Sequence, residues 1–151
     1  MKPIYKIPES VLVVIHTPDL QVLLMERVDK AGFWQSVTGS KDSLDEDSAV
    51  TARREVMEET GLDAAQFELR DWHMQNIYEI YPVWRHRYEP GVTHNTEQVF
   101  GLTLPGPLPV TLAAREHSQY RWLPYREAAD CCFSASNAEA ILQLPQRIKA
   151  R

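Results

Sequence analysis

Apolar residues are concentrated in short runs. Residues 10–17 (SVLVVIHT) and 22–28 (VLLMERV) are apolar and rich in β-branched side chains, and the turn-forming PDLQ between them predicts two strands. Residues 33–39 (FWQSVTG), 67–72 (FELRDW), 76–84 (NIYEIYPVW), 97–104 (EQVFGLTL) and 119–123 (QYRWL) read as further strands. Helical patterning appears over residues 46–60, 125–131 and 136 to about 148, with Pro145 expected to break or kink the last. Ser43 with Glu46, and Ser136 with Glu139, fit capping boxes, and Gly61 stands where a left-handed C-terminal residue is favoured. The pattern alone predicts a mixture of α and β. LPGPLP at 104–109 reads as a loop, and nothing in the chain resembles a repeat or an interdomain linker.

The helix over 46–60 poses a chemical question. Ala49, Ala52, Val56 and Thr60 form a packing stripe, whereas Glu55, Glu58 and Glu59, at i, i+3 and i+4, form an acidic face opposite or beside it. Like charges at these spacings cost a few tenths of a kcal/mol each, and carboxylates in the last turn oppose the helix dipole by about 0.3–1 kcal/mol. Arg53 and Arg54 would ease a merely solvated face. A hard cation removes the repulsion more completely, because Mg²⁺ and Mn²⁺ prefer carboxylate and phosphate oxygens.

Composition narrows the partners. The chain has 151 residues, 44% hydrophobic and 25% charged, as expected of a single domain over 1–151 with a substantial core. Its net charge of −5 argues against nonspecific nucleic-acid binding, so a phosphate ligand must be held locally. The first residues, MKPIYKIPES, lack the apolar segment of a secretory signal, and no run is long enough to span a membrane; a cytoplasmic protein is expected. The adjacent Cys131 and Cys132 offer no metal-site or disulfide spacing and read as buried or half-buried thiols.

The segment GSKDSLDEDSAVTARREVMEETGL, residues 39–62, resembles the Nudix box of Nudix hydrolases. Gly39, Glu46, Arg54, Glu55, Val56, Glu58, Glu59, Gly61 and Leu62 carry the match, with one extra residue between Gly39 and Glu46. The resemblance implies an α/β/α sandwich around a mixed sheet, with a loop-helix-loop motif at the mouth of a phosphate site. It also implies a metal-dependent hydrolase in which Glu55 and Glu59 ligate Mg²⁺, Mn²⁺ being a possible substitute. Glu116 is a further ligand from a distant loop, Glu58 a ligand or base, and Arg54 a residue that orients an acid by ion pairing.

FWQSVTGS, RHRYEPGVTHNTE, EHSQYRWL and SASN extend the likeness toward the dihydroneopterin triphosphate diphosphatase branch of that family. That branch implies release of pyrophosphate from 7,8-dihydroneopterin triphosphate, on the route to folate. The matching binding positions are Lys6, Arg27, Thr38 and Ser134 for phosphates and hydroxyl contacts. Tyr78, Glu79, Ile80 and Tyr81 would line a ring pocket in which Glu79 accepts pterin N–H groups. Arg85, His86, Arg87 and His94 suggest a local counter-field for the triphosphate, and Trp84 and Trp34 a ring contact or core packing. Two other readings remain: a nucleoside triphosphate pyrophosphohydrolase acting on dATP or oxidised dNTPs, and a module that binds nucleotides without hydrolysing them. The oligomeric state is left open.

Overall fold

The computed structural model describes residues 5–149. In chain order the strands and helices are β1 (Glu9–His16), β2 (Gln21–Arg27), β3 (Trp34–Gln35), β4 (Val37–Ser40), α1 (Ser48–Thr60), β5 (Glu68–Glu79), β6 (His94–Thr103), β7 (His117–Pro124), α2 (Tyr125–Cys131), α3 (Ala135–Leu142) and α4 (Leu144–Lys149). Short 3-10 turns occupy Ala64–Gln66 and Pro82–Arg87.

β1 runs parallel to β6, and every other pairing in the sheet is antiparallel. Alternation along β1 sends Val11, Val13 and Ile15 into a core with Ala52 and Val56 of α1, and Leu12 and Val14 into a second core with Ala128, Ala140 and Ile141 of α2 and α3. Burial on both faces explains why residues 10–17 read as unbroken apolar sequence rather than as an alternation. Each such side chain withdrawn from water contributes about 1.5–3 kcal/mol, so the sandwich is anchored on this strand.

The other edge of β1 is divided. β4 pairs with it from Ser10 to Val13, while β2 touches it only at His16 opposite Val22 and continues as the partner of β7 and β3. Residues from both arms of this fork line one large cleft.

Several expected boundaries move. The stretches 67–72 and 76–84 are not two strands: β5 is one strand of 12 residues with a register shift between Asp71 and Gln75, and His73 takes the left-handed φ of 54° at that bulge. Beyond Glu79 the chain turns into the 3-10 segment, with Pro82 in its first position. Helix α1 starts at Ser48 because Asp47, not Ser43, caps it, accepting from the Ala49 N–H at 2.8 Å. Gly61 closes it at φ 74°, with its N–H donating to the Met57 carbonyl. The last predicted helix is two: Ser134, not Ser136, caps α3, which stops at Leu142 because Pro145 cannot continue its hydrogen-bond ladder and instead falls in the first turn of α4. Of the two thiols, Cys132 is half-buried but Cys131 is exposed.

Candidate active site

Helix α1 does not separate an apolar face from an acidic one. Glu55 and Glu59 are buried along with Ala52 and Val56, and only Glu58 faces solvent, with its side chain 55% exposed. The close approach is made possible at Gly39 of β4, where any Cβ would run into the Glu55 carboxylate. Arg54 then ties the helix to the preceding loop. It donates to Glu55 at 2.9 Å, to Glu46 at 3.0 Å and to the Ser40 carbonyl at 3.1 Å, and lies 3.2 Å from Asp42 and 3.7 Å from Glu58. Glu46 is a structural acid, accepting in addition from the Thr51 hydroxyl at 2.6 Å and the Asp42 N–H at 3.1 Å. The loop with its extra residue is thus fastened without spending Glu59.

Glu59 is 1% exposed, and neither of its oxygens makes a well-formed hydrogen bond among the described residues, the Thr38 backbone N–H exerting only a small downward pull on its carboxyl. Burial, then the neighbouring Glu55 and Glu116, hold its carboxyl well above the usual carboxylate range. Burial also raises Glu55, against the pull of Arg54. Two neighbouring buried carboxylates, of which only Glu55 has a cationic donor, are costly unless a further cation joins them. Donor atoms of Glu59, Glu116 and His117 lie within 4.8 Å of one another, with Glu116 the exposed member. Glu55 is not part of that cluster but adjoins Glu59 and lines the same cleft, as does Glu58, so the carboxylates gathered around Glu59 suit a hard divalent ion.

His117 was not anticipated, although it follows Glu116 directly. Arg27 donates to the Gln35 carbonyl oxygen at 3.4 Å, which turns the Gln35 amide nitrogen toward His117 Nε2 at 3.0 Å. His117 Nε2 is then the acceptor and Nδ1 carries the proton, 3.9 Å from Glu59. Burial and then Arg27 lower its pKa to about 4, so the ring is neutral near pH 7 and turns an N–H, not a lone pair, toward the carboxylates.

The cleft of about 960 Å³ also contains all eight positions expected to bind substrate: Lys6, Arg27, Thr38, Tyr78, Glu79, Ile80, Tyr81 and Ser134. Their chemistry differs from expectation in places. Lys6 is exposed as a residue, yet its ammonium sits in the cleft, where desolvation, Arg87 and Arg27 lower its pKa. Arg27 is held by both oxygens of Asp29 at 2.8 Å and lies 4.5 Å over the Trp84 ring. Thr38 donates its hydroxyl to the Val11 carbonyl, so toward a ligand it offers a lone pair rather than a proton. Ser134 is occupied as the α3 cap. Glu79 is exposed and paired with Arg85 at 3.3 Å, which engages the carboxylate expected to meet the pterin. Of the four cationic candidates in residues 85–94, only Arg87 lines the cleft. Tyr81 stacks on Trp84 at 5.3 Å, whereas Trp34 packs beside the second core.

Sequence reasoning also passed over Glu97 and Asn95 on the floor of the cleft. They are 4% and 1% exposed, and burial raises Glu97 to about 7. Their signal was a pair of polar residues two apart at the start of a strand that is otherwise buried.

Comparison with known proteins agrees with this architecture. A family model described as NUDIX domain matches residues 6–144. Dihydroneopterin triphosphate diphosphatase of Escherichia coli (strain K12) is 44% identical over 143 residues, covering 93% of each chain. The Haemophilus influenzae protein of the same name is 39% identical over 140 residues, covering 91% of this chain and 87% of that one. The solved E. coli dihydroneopterin triphosphate pyrophosphohydrolase matches with a TM-score of 0.86 over 93% of this chain and 97% of its own. With the family model spanning nearly the whole described chain, and relatives matched almost end to end, this protein belongs to the Nudix family.

Proposed function

We propose that this protein is a dihydroneopterin triphosphate diphosphatase, releasing pyrophosphate from 7,8-dihydroneopterin triphosphate and leaving the monophosphate, a step toward folate. The observation that carries the reading is Glu59, sealed from water and without a well-formed hydrogen bond among the described residues, in a cleft of about 960 Å³ that has room for a triphosphate and a bicyclic ring. The named relatives at 44% and 39% identity supply the substrate class.

Glu55, Glu59 and Glu116 would hold the divalent ion, Mg²⁺ with Mn²⁺ as a substitute, with Glu58 adjoining. When bound, the ion neutralises charge on the reacting phosphate and assists ionisation of the attacking water. Arg54 keeps Glu55 in place and fixes the loop around it. Lys6, Arg27 and Arg87 receive the phosphate oxygens, and their mutual repulsion, which adds to burial in depressing the Lys6 pKa, is relieved by that anion. Glu58, open to solvent, takes the proton from the attacking water and passes it to bulk. The anhydride bond to the departing pyrophosphate breaks as the new phosphorus–oxygen bond forms. Tyr78, Ile80, Tyr81 and Trp84 would take the ring, and Thr38 and Ser134 line the same cleft.

The test is turnover of dihydroneopterin triphosphate, dGTP and dATP with Mg²⁺, with products resolved. The reading expects pyrophosphate, not single phosphates, and a clear kcat/KM preference for the pterin. A preference for dATP replaces it with a nucleotide-cleaning hydrolase, and binding without turnover replaces it with a recognition module.

A further inference from the structure

Away from the α1 glutamates, the floor of the cleft holds a second buried carboxylate. Sheet register places Ser40, Ser10, Glu97 and Asn76 in one row across β4, β1, β6 and β5, with their side chains on a common face. Two strand spacings, roughly 10 Å, separate Ser40 from Glu97. That is about the reach of a bicyclic ring and its side-chain carbons.

The polar groups on this floor are unequal in what they leave over. Asn76 Nδ2 at 3.5 Å and Ser136 Oγ at 3.4 Å both donate to Glu97 Oε1, and Oε2 receives nothing among the described residues. Two residues earlier on the same face, Asn95 Nδ2 donates to Ser10 Oγ at 2.7 Å and to the Tyr78 hydroxyl at 3.0 Å. These bonds fix the amide orientation and leave Asn95 Oδ1 buried without a partner. Both amide protons of Asn95 and the Ser136 hydroxyl are thus committed, the Ser10 and Tyr78 hydroxyls act as acceptors in these bonds, and Asn95 Oδ1 and one Glu97 oxygen are the acceptors left over. A buried acceptor in the condition of Asn95 Oδ1 is uncommon in folded proteins and, with the spare Glu97 oxygen on the same face, favours a ligand that brings N–H groups.

We infer that Glu97, supported by Asn95, reads the donor edge of a 2-amino-4-oxo heterocycle and so sets the substrate specificity of the cleft. A pterin presents its 2-amino group beside a ring N–H, two donors side by side that match the two acceptor sites of a carboxylate; guanine presents the same pair. Adenine offers one amino group beside an unprotonated ring nitrogen, whose lone pair would face the carboxylate. Burial raises Glu97 to about 7 in the free protein, and two ligand donors favour its ionised form. Glu79, exposed and engaged by Arg85, lacks these properties.

The inference rests on the pterin reading, and the experiment separates the two. kcat and KM are measured with Mg²⁺ for wild type, Glu97→Gln and Glu97→Asp on dihydroneopterin triphosphate, dGTP and dATP. Glu97→Gln is expected to lower kcat/KM for the pterin and dGTP by about 10- to 100-fold, chiefly through KM, and for dATP by less than about threefold. Glu97→Asp, which keeps a shortened carboxylate, is expected to fall between the two and carries the test if the Gln variant does not fold. An unchanged ratio of pterin to dATP overturns the inference, as does an equal loss on all three substrates through kcat. Weak wild-type turnover of the pterin overturns the proposed function instead, and the ratio of dGTP to dATP then decides the role of Glu97.

Discussion

Two carboxylate sites are buried in one cleft, and they are built on different principles. At the α1 end, Glu59 meets other acids and makes no well-formed hydrogen bond among the described residues, while Arg54 is committed to Glu55, Glu46 and the Ser40 carbonyl. At the floor, Glu97 meets no other acid among the described residues and is held on one oxygen by two neutral donors, Asn76 and Ser136. Burial raises both carboxyls, but only the first gathers like charges. A crowd of acids is completed by a cation, and a solitary acid with a spare oxygen by N–H donors. One end is thereby suited to the reaction and the other to recognition.

The largest expected break is at the helix. Glu59→Gln keeps the shape but removes the charge a divalent ion needs, so kcat for pyrophosphate release should fall by about a thousandfold in steady-state assays. If it falls less than about tenfold, Glu59 is not at the reaction centre.

Stability against pH sharpens the contrast next. A carboxyl whose folded pKa is raised adds stability below its unfolded pKa and loses it as pH rises through the folded one. For Glu97 the loss runs from the ordinary carboxylate range to about 7. Unfolding free energy of wild type minus that of Glu97→Gln, followed by denaturant titration, should therefore drop by roughly 2–4 kcal/mol between pH 4 and pH 8. Taking the difference removes the opposite contribution of His117, whose lowered pKa costs stability as pH falls below its unfolded value. A flat difference would mean that Glu97 is not buried in solution.

A smaller effect is expected at Gly39. The atoms nearest a Cβ in Gly39→Ala are those of the Glu55 carboxylate, the far end of a side chain, so the carboxylate is displaced while the fold remains. Activity should drop about tenfold with the melting temperature nearly constant. Loss of both together would show that β4 itself had moved. The smallest effect belongs to Glu79→Gln, expected to change kcat/KM by less than about twofold because the exposed Glu79–Arg85 pair contributes little.

What could be read from the sequence was local. The apolar run of β1, the Gly61 cap and the acidic spacing in α1 depend on neighbours a few residues away, and the resemblance carried by Glu55, Glu58, Glu59 and Glu116 extended them to a site. The α1 start was misplaced because the loop offers several acids and hydroxyls able to cap, and Asp47 is the one whose oxygen reaches the Ala49 N–H. Burial of Glu55 was hidden because it depends on the missing Cβ of Gly39, a contact between helix and sheet. Glu97 was hidden for the same reason: its partners Asn76 and Ser136 lie 21 and 39 positions away, and only the assembled sheet shows which acceptors are left over. Glu79 was the misleading choice, since an alternating strand gives no sign that Arg85 on the following turn will engage it.

The central claim is that a divalent ion completes the acids around Glu59, and thermal unfolding under Mg²⁺ titration tests it most directly. At a concentration about a hundred times the dissociation constant, binding adds about 2.7 kcal/mol, or roughly 5–10 °C for a chain of this length. Wild type should gain that increment and lose it to excess chelator, while Glu59→Gln should gain almost none. An equal rise in both proteins, or no rise in wild type, would contradict the account.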